Sequence, residues 1–71
     1  MNPFNYEKLE IARLLRQRTQ KDVVKDVGIP QSTLSKAEHG LLELSDDMIQ
    51  KLCQYYDMPI EFFSEMYEVP P

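Results

Sequence analysis

The chain has 71 residues, 42% hydrophobic and 28% charged, with a formal net charge of −4. That suits one small folded core, too short for a two-lobed enzyme and too apolar for a disordered tail. Cys53 is the only cysteine and His39 the only histidine, which excludes an internal disulfide and a Cys/His zinc site and leaves core packing to carry the fold.

Apolar spacing is helical, with glycine and proline between the periodic stretches, so the sequence predicts an all-α fold. The first helix is expected to start with Asn5 as its cap, with Phe4 and Leu9 at the spacing of a hydrophobic staple. It should turn Leu9, Ile11, Ala12 and Leu15 inward and end near Gln17. The second opens at Thr19, with Asp22 completing a capping box, and points Val23, Val24 and Val27 inward. Gly28 suits the positive φ of a three-residue turn, and Pro30 suits the first turn of a third helix running from about Pro30 to His39. Leu34 and Ala37 form its buried side and Gly40 its stop. A fourth helix begins at Ser45, with Leu44 and Ile49 repeating the staple spacing and Asp46 and Asp47 at the positive end of its dipole. Ile49, Leu52, Cys53 and Tyr56 form its inner stripe. Pro59 restarts the chain into a short fifth helix holding Ile60, Phe62 and Phe63, which Val69, Pro70 and Pro71 cannot extend.

Charge is unevenly spread. Through Gly40, seven cations face five acids, a balance of +2; from Leu41 onward Lys51 stands alone against seven acids, a balance of −6. A polyanionic partner would meet the front half. There the stretch TQKDVVKDVGIPQSTLSKAEHG reads as a capped helix, a turn and a second helix, an arrangement that lets one helix stand off a small body. With Gln31 at zero and about 100° per residue, Leu34 and Ala37 centre the buried direction near about 270°, so outward is near about 90°. Ser32, Ser35, Lys36 and His39 cluster there, with Gln31 at the flank of the leading end. Such a face suits the major groove, because Gln pairs with adenine, Lys with guanine and Ser with several base edges or phosphates. A solvated helix face needs no such partner, and on the face alone that plainer reading is the favoured one until the wider set of residues is weighed.

That wider set changes the balance. Thr19-Gln20 opening the second helix, Gly28-Ile29 in the turn, Gln31-Ser32-Thr33-Leu34-Ser35-Lys36 in the third helix and Glu38 before Gly40 resemble the Cro and phage-repressor type of helix-turn-helix domain, the XRE family, over roughly residues 9 to 63. With Leu9, Ala12, Arg13 and the later Pro59-Ile60-Glu61-Phe62-Phe63, the set is also similar to the DNA-binding domain at the front of some bacterial zinc-peptidase regulators. The resemblance implies a compact five-helix bundle of the lambda-repressor kind, cytoplasmic, acting as a transcriptional regulator and most simply a repressor of bacterial or phage type. By that analogy Gln31, Ser32, Ser35 and Lys36 read bases. Gln20 holds a phosphate at the amino end of the second helix, where the helix dipole also favours an anion. Arg13, Arg16, Lys21, Thr33 and His39 complete the expected phosphate set, and Arg13 pairs with Glu38 as an architectural link. Pro30 and His39 depart from the family's usual residues, and residues 41–47 carry acids without a cation.

One domain is therefore expected over residues 1–71, with the helix-turn-helix at 19–39 and acidic, aromatic helices at 45–67 as the surface for a homodimer or another partner. Tyr55, Tyr56, Phe62, Phe63 and Tyr67 serve a core or an interface equally well. Alternatively, the module binds a protein rather than DNA, or forms the front of a larger regulator. His39 fits a helix-end cap and Cys53 an inert thiol on an inner stripe. No phosphate loop, catalytic carboxylate pair or HExxH occurs, so no enzyme, cofactor or metal is expected, and no apolar run is long enough for a membrane span.

Overall fold

A computed structural model describes residues 4–64. Four α-helices follow in order, α1 (Glu7–Leu15), α2 (Gln20–Val27), α3 (Gln31–Glu38) and α4 (Asp46–Tyr56), and then a short 3-10 turn, Ile60–Phe63. They enclose one core of Leu9, Ala12, Val23, Ile29, Leu34, Ala37, Leu52, Tyr56, Phe62 and Phe63. The fold is all-α, as the helical spacing predicts.

The expected fifth helix is only this 3-10 turn, and backbone pairing explains why. Phe62 N–H closes on Pro59 O at 3.0 Å, and the Phe63 carbonyl then accepts from Asn5 N–H at 2.6 Å. Phe4 and Ser64 form an antiparallel bridge, so the chain goes extended where an α-helix would have continued. Phe4 stacks on Phe63 at 5.1 Å between ring centroids. Tyr67, Val69, Pro70 and Pro71 lie outside the described residues.

α1 also departs from its expected face. Leu9 and Ala12 are fully buried, but Ile11, Leu14 and Leu15 are 37%, 59% and 55% exposed. Once Leu9 and Ala12 set the inward direction, Ile11 lies about 200° round from Leu9 and cannot share it. Lys8 fills that side instead, with Nζ donating to the Ser64 carbonyl at 2.7 Å. The helix begins at Glu7 with Tyr6, not Asn5, in its N-cap position, and Asn5 one residue earlier accepts from Glu7 N–H through Oδ1 at 3.1 Å.

All four helices end in a left-handed residue: Gln17 at φ 56°, Gly28 at 85°, Gly40 at 72° and Asp57 at 53°. Arg18, Leu41 and Met58 N–H groups reach back to the carbonyls of Arg13, Lys36 and Cys53 at 2.9–3.0 Å, which satisfies backbone acceptors that the helix ends leave open. A Cβ added at Gly28 would meet no atom within 4 Å, so a side chain there is opposed only by the backbone angle. Gln17→Gly should therefore raise stability and Gly28→Ala lower it, each by about 1 kcal/mol, read as opposite shifts in thermal midpoint.

Candidate nucleic-acid interface

α3 is carried by a short turn with a buried anchor. Gly28 leaves α2 with its N–H on Val24 O, Ile29 sinks to 1% exposure, and Pro30 takes the N-cap position of α3 with ψ 142°. A proline in that position makes no side-chain cap hydrogen bond to the leading end of α3. Leu34 and Ala37 are fully buried and Glu38 nearly so. Gln31, Ser32, Lys36 and His39 are exposed, and Thr33 and Ser35 are half-buried. The His39 ring is held close to the helix end, Nδ1 lying 2.7 Å from the Ser35 carbonyl oxygen, which can only accept.

Beneath this face sits a buried charge. Arg13 Nε donates to Glu38 Oε2 at 2.9 Å and its Nη2 to Glu38 Oε1 at 3.2 Å, while Nη1 donates to the Arg18 carbonyl at 3.0 Å. The Gln20 amide donates to the same Oε1 at 3.0 Å. One carboxylate thus ties α3 to α1 and α2, and its hydrogen bond holds the Arg13 guanidinium above its ordinary pKa. The Tyr56 ring belongs to the same core, and burial pushes its hydroxyl well up from the usual phenol value.

The remaining expected phosphate residues are placed differently from one another. Lys21 is exposed in the first turn of α2. Arg16 reaches the carboxyl end of α4 instead, Nε donating to Tyr56 O at 2.6 Å and Nη2 to Asp57 O at 3.1 Å. α2 opens on the expected capping box: Thr19 Oγ1 accepts from Asp22 N–H at 3.1 Å and Asp22 Oδ2 from Thr19 N–H at 2.9 Å. α4 opens on Ser45, whose hydroxyl accepts from Met48 N–H.

Several positioning contacts have no counterpart in the sequence reading. The Leu44 N–H donates to the Tyr6 hydroxyl at 3.0 Å, fixing the approach to α4. Tyr55 donates to Asp26 Oδ2 at 2.7 Å, joining α4 to α2, and that bond raises the phenol's pKa. Neither follows a helical period, so no spacing rule would have found them. Of the aromatic group, Tyr56, Phe62 and Phe63 are buried and Tyr55 is half-buried, while the aliphatic Ile60 beside them stays 52% exposed. Cys53 is half-buried and burial raises its thiol pKa. Ile60 helps line a groove of about 720 Å³ with Phe4, Leu44 and Ile49, edged by Glu43 and Glu61. Among the described residues no cluster of His, Cys, Asp or Glu could hold a metal, and no helix is long and apolar enough to cross a membrane.

The Thr19 backbone N–H, donating to the Asp22 carboxylate, and the Thr19 hydroxyl beside it hold Asp22 below the usual carboxylate range. A lowered folded pKa gives stability that is complete above the unfolded value and lost as pH falls through the folded one. The thermal-midpoint gap between wild type and Asp22→Ala should therefore hold steady near neutrality and shrink in acid below the ordinary carboxylate range.

Residues 9–63 match the sequence model of a family described as helix-turn-helix. No curated protein matches the chain.

Proposed function

The chain belongs to the Cro-like (XRE) helix-turn-helix family, a DNA-binding family, and from that premise we propose that it is a sequence-specific transcriptional regulator, acting as a repressor in the cytoplasm. α3 enters the major groove. Gln31, Ser32, Ser35 and Lys36 read base edges, and Gln20, Lys21, Thr33 and His39 hold phosphates on either side. Arg13 and Arg16 complete that phosphate set with the N–H donors that the acceptors described above leave over, since each guanidinium carries five. Arg13 also orients α3 through Glu38, and Arg16 also ties α1 to the end of α4. No catalytic role, cofactor or metal enters this reading.

The observation that carries the proposal is the contrast on α3. Leu34, Ala37 and Glu38 are locked inward, whereas Gln31, Ser32 and Lys36 are exposed on an end that no side chain caps. Short polar groups on a rigid helix suit a groove about 12 Å wide. Uncapped N–H groups at the leading end favour an anion beside them. The +2 balance of residues 1–40 supports the orientation, since the −6 half is then turned away from phosphate.

A homodimer on a two-fold operator completes the reading, with α4 and the 3-10 turn as the pairing surface. The groove beside Ile60 supplies apolar area, and Glu43 and Glu61 at its edge repel their own copies. Screening weakens that repulsion, so self-association should strengthen with added salt, as sedimentation equilibrium would register.

DNA binding should do the opposite, because cation contacts release counterions from the duplex. Gln31→Ala is expected to cost about 1–3 kcal/mol on a selected site and to relax base preference at one position, whereas Gln20→Ala weakens selected and random duplexes alike. Fluorescence anisotropy over a salt series checks both, and equal losses on both duplexes for Gln31→Ala would reject the assignment of α3.

A further inference from the structure

Glu38 accepts hydrogen bonds from two other helices, through Arg13 of α1 and Gln20 of α2. The side chain is fully buried, and Arg13 already grips both carboxylate oxygens in a two-pronged bond. Such a pair still leaves carboxylate lone pairs that a buried charge needs filled. Gln20 fills one of them, donating its amide to Oε1 at 3.0 Å from the first residue of α2, on a side chain that is only half-buried.

A primary amide carries two N–H donors at a fixed angle. When one is aimed at a carboxylate in the interior, the other is turned away from it. We infer that Glu38 is a positioning residue for DNA: it holds the Gln20 carboxamide with its second N–H presented at the start of α2, where a phosphate oxygen can accept it. This rests on the reading of the chain as a DNA-binding regulator.

The physical gain is preorganisation. A glutamine at a helix start ordinarily samples many rotamers, and ordering it on binding opposes association. Here the ordering is complete before DNA arrives. Arg13 contributes by keeping the carboxylate from rotating, so the chain of contacts runs from α1 through α3 to the leading end of α2. The phosphate contact is thereby registered to the helix that carries Gln31 and Lys36, because Glu38 belongs to that same helix.

Two measurements test the inference on the full chain. Affinity for a random-sequence duplex at low salt is compared for wild type, Gln20→Ala, Glu38→Gln and the double variant. We expect Gln20→Ala and Glu38→Gln each to weaken binding by about fivefold to tenfold, and Glu38→Gln to change affinity by less than about twofold once Gln20 is alanine. Equal losses from Glu38→Gln in both backgrounds would make Glu38 a support of the fold alone and overturn the proposal. The second measurement needs no variant that must fold. In the nitrogen-15 spectrum of the unbound wild type, one side-chain amide proton of Gln20 should be shifted downfield and slow to exchange, unlike those of exposed Gln54. Amide protons on Gln20 that average like those of Gln54 would sink the positioning role even if the chain binds DNA. A shifted, protected proton in a chain that retains no duplex would instead refute the DNA-binding reading.

Discussion

A single buried carboxylate holds three helices of this protein in register. Without Glu38 the α3 helix would rest on Leu34 and Ala37 alone, two apolar contacts that fix its distance from the core but not its rotation about its own axis. The bidentate bond from Arg13 removes that freedom, because a guanidinium fork accepts a carboxylate in one plane. Burying such a pair stabilises little by comparison with apolar residues of the same volume, and losing one partner is costly, so its value lies in specifying orientation. The proposed reading of DNA by α3 needs that orientation, since a rotation of one residue would replace Ser32 and Lys36 by neighbours on a different face.

The same division runs through the whole chain. Cations at Lys21, Lys25 and Lys36 are exposed on α2 and α3, while Glu43, Asp46 and Asp47 are exposed on the approach to α4 and its first turn. The acids at the start of α4 stabilise its dipole, so the local rule for a good helix and the long-range charge separation point the same way. Tyr55 and Asp26 bridge the two regions with a short hydrogen bond, coupling the back of the domain to the helix that precedes the turn.

Much of this was legible in the residues because it rests on local chemistry. Thr19 with Asp22, Ser45 before two aspartates, Gly28 and Gly40 each announce a helix boundary by a capping or backbone preference that needs no partner elsewhere. The other two terminators were invisible: Gln17 and Asp57 take the left-handed angle without being glycine, held there by backbone bonds that only the packed helices provide. The inner face of α1 departs from its apolar spacing for a related reason. Its apolar residues outnumber its buried positions, and Lys8 occupies one of those positions because a carbonyl of Ser64 awaits it, an acceptor far along the chain. The candidate site followed the same pattern. The outward arc of α3 came from angular arithmetic, and the Arg13 link to Glu38 from family resemblance. The Gln20 bond to Glu38 and the attachment of Arg16 to the end of α4 depend on which ends the fold brings together.

The bridge between Phe4 and Ser64 bears on how this architecture tolerates rearrangement. With Phe4 and Ser64 paired side by side and Asn5 N–H donating to the Phe63 carbonyl, the described backbone runs in a nearly closed circuit, and its contacts do not depend on which point of the circuit is synthesised first. Joining those two points with a short connector and reopening the chain in an exposed loop such as residues 41–43 would keep every helix and the buried carboxylate in place. Circular permutants are accordingly a natural format for placing α3 within fusion proteins.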